Sequence, residues 1–470
     1  MPLTSHNPLL QTLFKAGGKV YAVGGSVRDE LLERPTKDQD LLVSQIPMER
    51  LCEILAKFGY VKKVGKSFGV LKFKPHDAEL TLDIALPRKE QSTGTGHRDF
   101  EVEFDPFLPI EQDLGRRDFT INAIAKDLAS GAYIDPFGGK IDLAHKILKV
   151  VFLQAFEEDP LRLLRGIQFA ARLNLTIEPQ TLSLMKKNAA LIKTVSPERI
   201  LEELKKLFSA EKPSVGFDLM REVGLLSILF PEVERMIGVM QPARHGGDVY
   251  THTMRVLDAA RSSADLETPG DLEVMFAALF HDLGKPYTRA EDPKTKKVSF
   301  YGHQIVSSRL ARKWMHHYPI EMLGVNPQNI LNLVFNHMFE TKSFYGERAI
   351  RRFIRKIGQD LIFKLIDLRI ADKKGGGFPH TVRGVFKLRN IIKEELAKKP
   401  PFSPKDLKLN GHHLMELGFP EGPTLGKILK DMVDHVLADP ENNTLDYLKN
   451  FALTKYSHLL ASQPTPKHDN

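Results

Sequence analysis

Cysteine is almost absent: Cys52 is the only one among the 470 residues. No disulfide framework can be built from it, so a reducing compartment is expected. It lies in the apolar helical run Leu51-Cys52-Glu53-Ile54-Leu55, where packing accounts for it. There is no apolar stretch long enough to span a membrane. Met1 to Lys15 carries Asn, Pro and Gln in place of a charged start and an apolar run, so no signal peptide is expected. Internal repeats are missing too. An acidic excess is also missing: Lys and Arg outnumber Asp and Glu by 67 to 59, a formal net charge of +8. That balance favours a polyanionic partner, although a basic surface with no partner fits the charge alone equally well. The length allows about three or four domains with ample core.

What is present is concentrated in two places. The first reads Tyr21-Ala22-Val23-Gly24-Gly25-Ser26-Val27-Arg28-Asp29, followed by Lys37-Asp38-Gln39-Asp40-Leu41-Leu42-Val43. Side chains alternate faces along a strand, so Asp38 and Asp40 project from one side. Neighbouring carboxylates repel unless a cation sits between them, and hard oxygen ligands with room for phosphates suit Mg²⁺. Two glycines let a backbone turn approach a phosphate, and Arg28 with the following helix start adds positive potential. A Gly-Gly turn alone is only a turn, and Asp-x-Asp alone is often a solvated strand end. In the order strand, Gly turn, helix, acidic strand, they describe a metal-dependent nucleotidyl-transfer site.

These residues resemble the nucleotidyltransferase superfamily, and specifically the bacterial CCA-adding tRNA nucleotidyltransferase and poly(A) polymerase family. Further family blocks follow in order. Leu114-Gly115-Arg116-Arg117-Asp118-Phe119-Thr120-Ile121-Asn122-Ala123 resembles the second motif, whose Arg and Asp contact the nucleotide. Asp135-Pro136-Phe137-Gly138-Gly139 resembles the third, a linking turn. Glu158-Asp159-Pro160-Leu161-Arg162-Leu163-Leu164-Arg165 resembles the start of the fourth, a base-selecting helix.

The resemblance implies attack of an RNA 3′-hydroxyl on the α-phosphate of a nucleoside triphosphate. Asp38 and Asp40 would hold Mg²⁺. Asp83 sits where polymerases of this superfamily carry a third carboxylate; a strand-end acid is the other reading. Gly25, Arg28 and Arg117 would grip the triphosphate, since Arg offers forked donors to phosphate oxygens, and Asp118 would contact the incoming nucleotide. On a helix starting at Glu158, Asp159 and Arg162 lie one turn apart on one face. Asp159 would accept from the amino group of cytosine or adenine while Arg162 donates to the adjacent ring nitrogen. Arg165 matches a nucleotide-binding arginine, whereas Gln168 replaces the usual Arg of the next position and receives no role. Arg88 to His97 is polar, carries two glycines and lacks periodicity, so a mobile loop is expected. The family needs such a loop to switch from C to A addition. Val64-Gly65-Lys66-Ser67-Phe68-Gly69-Val70 has the form of CCA enzymes rather than poly(A) polymerases.

The second place is a histidine constellation. His252, His281-Asp282 and Asp372 follow the His…His-Asp…Asp spacing of HD-domain phosphohydrolases, and Ala278 to Lys285 resembles their core motif. Imidazoles with carboxylates suit a divalent metal (Mg²⁺, Ni²⁺ or Mn²⁺) that activates water against a phosphoester. His303 and His337 are auxiliary ligands or phosphate contacts in this reading. Some bacterial CCA enzymes carry such a domain with 2′,3′-cyclic phosphodiesterase, 2′-nucleotidase and phosphatase activity, which implies repair of damaged tRNA ends.

The expected fold is α+β: a polymerase-β-like nucleotidyltransferase head (1–140), an extended all-α neck (141–235), an HD domain (236–378), a helical tRNA-binding tail (379–460) and a disordered end (461–470). In the head, strands are expected at Val20–Val23, Asp40–Val43, Val70–Lys74 and Glu79–Leu86, and helices at Met48–Phe58 and Thr120–Lys126. Leu161–Leu173 and Ile200–Phe208 carry helical apolar spacing. The tail's Gly-Pro turn at Gly422-Pro423 opens a helix that either meets an RNA phosphate or simply packs. Expected partners are tRNA, CTP and ATP, without a membrane, for a cytoplasmic monomer or homodimer. Addition of only CC or only A, or an RNA 3′-end phosphohydrolase whose head mainly grips tRNA, remain the alternatives.

Overall fold

The computed structural model describes residues 7–35, 40–64, 69–76, 81–92, 100–242, 247–341, 346–376 and 382–460. Asp38, residues 65–68 and the end from 461 lie outside these. The chain forms two compact units, Met1–Val239 with Lys313–Val325, and Met240–Arg312 with Asn326–Asn470.

The first unit contains a mixed seven-stranded sheet. Its strands are β1 (Lys19–Val23), β2 (Asp40–Ser44), β3 (Gly59–Val64), β4 (Val70–Pro75) and β5 (Leu82–Ala85); a hairpin of β6 (Arg88–Ser92) and β7 (Phe100–Phe104) stands apart, and β8 (Ala125–Asp127) and β9 (Tyr133–Ile134) complete the sheet in the order β3-β4-β5-β2-β1-β8-β9. Only β2 and β5 pair in parallel, with Asp40 opposite Asp83. The other sheet neighbours are antiparallel.

Alternation decides which face does what. Val20, Leu41, Val43, Leu82 and Ile84 point into a core closed by Leu9, Leu10 and Leu13 of helix Pro8–Lys15 and by Leu51, Ile54 and Leu55 of helix Met48–Leu55. Tyr21, Val23 and Leu42 point the other way, onto Ile110 and Leu114 of helix Ile110–Gly115. Asp40, two residues from Leu42, therefore opens onto this second face, and so does its register partner Asp83.

Beyond the sheet the first unit is nearly all helix, including Ala155–Glu158, Arg162–Leu173, Pro179–Asn188, Pro197–Phe208 and Pro213–Val223. A two-residue parallel pair, Ile147–Leu148 with Thr176–Ile177, interrupts it. In the second unit, helices Val249–Ser262, Leu272–Phe280, His303–His317, Pro327–Asn336 and Ile362–Lys374 supply the histidine site. A separate core around Leu409, Leu414, Ile428, Met432 and Leu448 unites helices Gly411–Glu416, Pro423–Val436 and Leu445–Tyr456.

Three expectations need correction. Thr120–Lys126 is not a helix: Thr120–Asn122 is a single 3₁₀ turn and Ala125–Asp127 becomes β8, because pairing with β1 satisfies its backbone inside the sheet. The expected loop from Arg88 begins as β6, hydrogen-bonded to β7, and only 93–99 lie outside the described residues. The helix from Met48 stops at Leu55, since Gly59 opens β3 in close contact with β4.

The Asp135 turn shows how tightly the head closes. Asp135 accepts from the N–H groups of Gly139 (2.7 Å) and Lys140 (2.9 Å), capping helix Gly139–Ala144. A Cβ on Gly139 would stand 2.1 Å from the Thr120 carbonyl oxygen and 2.9 Å from Ile124 Cγ1. Gly426, exposed within helix Pro423–Val436, has nothing within 4 Å. Gly139→Ala is therefore expected to destabilise by about 1–3 kcal/mol through backbone overpacking. Gly426→Ala should add about 0.5–1 kcal/mol of helix stability. Denaturant midpoints of the two variants should move in opposite directions.

Candidate functional site

The Gly turn is shaped by what stands behind it. Gly24 has φ 69° and ψ −130°, and a Cβ there would come within 2.8 Å of Arg117 Nη1 and 3.9 Å of Asp40 Oδ2. Glycine is thus required twice, for a left-handed backbone and for the approach of two side chains from other elements. Helix Gly25–Leu31 follows directly and carries Arg28. The Arg28 guanidinium is buried; it pairs with Asp29 at 2.8 Å, donates to Asn122 Oδ1 at 2.8 Å and lies 5.2 Å from the Phe169 ring centre.

A chain of partners runs on from Asn122. Its Nδ2 donates to Asp118 Oδ1 at 3.1 Å, and Asp118 Oδ2 takes Arg165 through Nε and Nη2 at 2.9 and 2.7 Å. Burial alone would raise the Asp118 pKa, but Arg165 and the hydrogen bonds outweigh it and hold the carboxyl below its ordinary value. Asp113, fully buried, binds Arg116 at 2.8 Å and Arg117 at 3.2 Å and accepts the backbone N–H of Arg88.

These groups surround one cleft of about 750 Å³. Of the expected nucleotide residues, Gly25, Arg28, Asp40, Arg117, Asp118, Asp159, Arg162 and Arg165 all line it. Asp83 does not; its carboxylate is half-exposed and faces Lys72 at 3.7 Å. Asp38 lies outside the described residues. Arg88, Arg116, Arg172, Arg199, Lys206 and Phe169 also line the cleft and were not singled out in the sequence. Gln168 is buried there, accepting from Arg172 at 3.0 Å.

Asp159 and Arg162 do not share a helix face. Helix Ala155–Glu158 ends at Asp159, which is extended (φ −134°, ψ 96°), and the next helix starts at Arg162. Pro160 is the physical reason, because its ring disfavours the helical conformation in the residue before it. The Arg162 guanidinium donates to the carbonyls of Ala155 (3.2 Å) and Arg116 (3.0 Å). Asp159 is held by Arg199 at 3.1 Å.

For a divalent ion in the head, Asp40 and Asp83 stand as register partners on adjacent parallel strands, on the face that also bears the Gly turn. Hard carboxylate oxygens next to an arginine-lined cleft fit Mg²⁺ shared with phosphates.

In the second unit, six side chains converge. His252 Nε2 lies 3.1 Å from Asp372 Oδ1 and 3.7 Å from Asp282 Oδ2; His281 Nε2 lies 3.1 Å from Asp282 Oδ2. His303 and His337 approach Asp282 Oδ1 at 3.4 and 4.0 Å, and their Nε2 atoms are 3.2 Å apart. Lys285, absent from the expected set, reaches Asp282 at 2.6 Å and Gln241 at 2.9 Å.

Each ring is oriented by the main chain. The Nδ1 atoms of His252, His281, His303 and His337 face the carbonyls of Gly375, Ala278, Phe300 and Val334 at 3.2, 2.8, 2.7 and 2.7 Å. A carbonyl only accepts, so Nδ1 carries a proton and every Nε2 points inward as the nitrogen open to a cation. His281 Nε2 and the Lys285 ammonium both face Asp282 Oδ2, at 3.1 and 2.6 Å. Burial favours a neutral His337, with a pKa pushed down to about 3, whereas Asp282 and Asp372 overcome burial and raise that of His281. Converging nitrogens and two carboxylates fit a divalent cation. Two ligand triads are formed, His252–His281–Asp372 and Asp282–His303–His337.

The Poly A polymerase head domain family matches residues 20–149, the Probable RNA and SrmB-binding site of polymerase A matches 174–237, and the HD domain matches 249–374. The Multifunctional CCA protein of Actinobacillus pleuropneumoniae serotype 5b is 42% identical over 303 residues, 63% of this chain and 70% of its own length. That of Nitrosococcus oceani is 43% identical over 290 residues, 61% of this chain and 66% of its own. Among solved structures, the Bacillus stearothermophilus CCA-adding enzyme in complex with CTP superposes with TM-score 0.68 at 22% identity, covering 96% of each chain. The Thermotoga maritima CCA-adding enzyme complexed with tRNA superposes with TM-score 0.53 at 22% identity, covering 95% of this chain and 93% of that one.

If the histidine cluster binds a divalent ion, Mn²⁺ at about a hundredfold its Kd should add about 2.7 kcal/mol of stability. That Mn²⁺-dependent rise in the thermal midpoint should vanish in His281→Ala and in Asp282→Asn, with loss of bound metal in equilibrium dialysis.

Proposed function

The chain belongs to the family of the multifunctional CCA proteins, and from that premise we propose that it adds CCA to the 3′ end of tRNA from CTP and ATP and carries a phosphohydrolase centre in its HD domain. The observation that carries this reading is the single cleft in which Gly24, Asp40, Arg117, Asp118, Asp159 and Arg165 meet, although 141 positions separate the first from the last (165 − 24). The domain scheme is a head at 1–140, a neck at 141–235, an HD domain at 236–378 and a tail at 379–460 that grips tRNA.

In the head, the 3′-hydroxyl oxygen of the RNA bonds to the α-phosphorus, the bond to the bridging oxygen breaks and pyrophosphate leaves. Asp38, Asp40 and Asp83 are the residues that would hold Mg²⁺, which when bound lowers the hydroxyl pKa and neutralises charge on the leaving group. The chain's own groups do the positioning. Backbone at Gly24-Gly25 meets the triphosphate, with Arg28 and Arg117 supplying forked donors. Asp118 keeps Arg165 directed into the cleft. Asp159 accepts from the exocyclic amino group of cytosine or adenine, and Arg162 donates to the neighbouring ring nitrogen. Arg162 reaches that role by exchanging the carbonyls of Ala155 and Arg116 for the base. Uracil and guanine present the reverse pattern and are rejected, because mispaired buried polar groups are costly.

In the HD domain, His252, His281, Asp282 and Asp372, with His303 and His337, would hold Mg²⁺, Ni²⁺ or Mn²⁺, which when bound supplies an activated water for a phosphoester. Lys285 is placed to direct Asp282. The substrate class that joins the two centres is a tRNA end bearing a 2′,3′-cyclic or terminal phosphate. No helix among the described residues is long and apolar enough to cross a membrane, which is compatible with a cytoplasmic site of action.

The test supplies CTP, ATP or both to tRNA transcripts ending before CCA, after C and after CC. All three should grow to CCA, and Asp40→Ala should lower the rate by at least about a thousandfold. Extension of only the CC-ended transcript would make this an A-adding enzyme. His281→Ala with Asp282→Ala should abolish cyclic phosphodiesterase activity and leave addition intact; loss of both would overturn the two-centre reading.

A further inference from the structure

The partner of the base-reading carboxylate is not the one that motif spacing supplies. Asp159 occupies an extended link, where its Oδ1 also accepts the Leu161 backbone N–H at 3.2 Å and its Oδ2 has no such main-chain tie among the described residues. Arg162 is buried and turned to two main-chain carbonyls. Arg199, from helix Pro197–Phe208, instead sets Nη2 against both Asp159 oxygens, at 3.1 and 3.3 Å, and itself lines the cleft.

The same helix reaches a second part of the site. Glu203, one turn beyond Arg199, is 3% exposed and lies 3.7 Å from Arg165, the residue that grips Asp118. One of its carboxylate oxygens is buried without a hydrogen bond. Lys206, nearly two turns on, binds the other at 2.8 Å and also lines the cleft. Residues i, i+4 and i+7 share one helix face, so this face backs both Asp159 and Arg165.

We propose that Arg199 is a positioning residue for nucleotide selection: by bracing both oxygens of Asp159 it fixes the direction in which that carboxylate meets the base. A carboxylate repels a base carbonyl only while it is aimed at it. One that can turn aside leaves room for a uracil O4 or a guanine O6. Both contacts come from Nη2, whose N–H directions are fixed in the guanidinium plane where an ammonium rotates freely, so lysine restores the charge and not the aim. The inference rests on the reading of Asp159 as the base-contacting acceptor.

The experiment uses the full chain, a tRNA transcript lacking CCA, and single-turnover addition from CTP or UTP. Arg199→Ala and Arg199→Lys should each lower the CTP-over-UTP ratio by about tenfold or more, the alanine variant further, while overall addition from CTP falls less than the ratio does. An equal loss for both nucleotides, leaving the ratio unchanged, would overturn the role of Arg199. So would wild-type discrimination in Arg199→Lys, which keeps the charge and provides the test if the alanine variant fails to fold. Asp159→Asn separates the two layers: an unchanged ratio in that variant removes the reading of Asp159 and the proposal with it. A collapsed ratio there with normal ratios in both Arg199 variants removes only Arg199.

Discussion

Cations gathered for a polyanion repel one another before it arrives, and the first unit is arranged around that constraint. Eight arginines and a lysine line the cleft. Two unit charges about 4 Å apart interact by about 4 kcal/mol at an effective dielectric of about 20, so their directions must be imposed. Acids impose them: buried Asp113 takes Arg116 and Arg117, buried Asp118 takes Arg165, buried Glu203 takes Lys206, and part-buried Asp159 takes Arg199. A triphosphate thus meets dipoles and charges already oriented, which is the condition under which electrostatic stabilisation costs no reorganisation.

The histidine site solves the opposite problem with the same economy. There, acceptors converge and a cation is wanted. His281 and His337 each cap a helix, Leu272–Phe280 and Pro327–Asn336, and bond back to the carbonyl three residues earlier. His303 does likewise to Phe300 at the start of its helix. The main chain therefore orients the rings, and four Nε2 atoms face Asp282 and Asp372 without any further side chain spent on orientation.

The legible parts of both sites were those carried by local spacing. Gly24-Gly25 with Asp40, the Arg117-Asp118 pair, and His281-Asp282 stand out because neighbours in sequence do the chemistry together. The β1, β2 and β4 strands were legible for the same reason, as short apolar runs between turns. Arg199, Asp113, Glu203 and Lys285 were not, because each acts through a partner and nothing in its own segment marks it. Arg199 lies 40 positions from Asp159, and Arg165 lies 47 from Asp118. The break at Asp159 is different: the proline after it carried the signal, and helical periodicity from Leu161 onward overrode it in the reading. Thr120–Lys126 failed through tertiary pairing, since Ala125 to Asp127 completes the sheet beside β1.

Phe169 shows why the separated motifs act in one frame. Its ring lies 5.2 Å from the Arg28 guanidinium carbon and 5.5 Å from that of Arg165, and it meets Phe119 edge to face at 6.0 Å. Gly166, one turn earlier on the same helix, presses so close to Phe119 that a Cβ would come within 2.9 Å. Helix Arg162–Leu173 is thereby packed onto the segment that carries Asp118, with Arg28 on the same ring. A base at Asp159 and a phosphate at Arg28, as proposed, would be measured against that one packed unit. On the proposed reading, an incorrect base could not shift to improve its own contacts without displacing the α-phosphate from Asp40. Selection and chemistry would then be coupled through packing, and discrimination would appear in the rate of transfer as well as in binding.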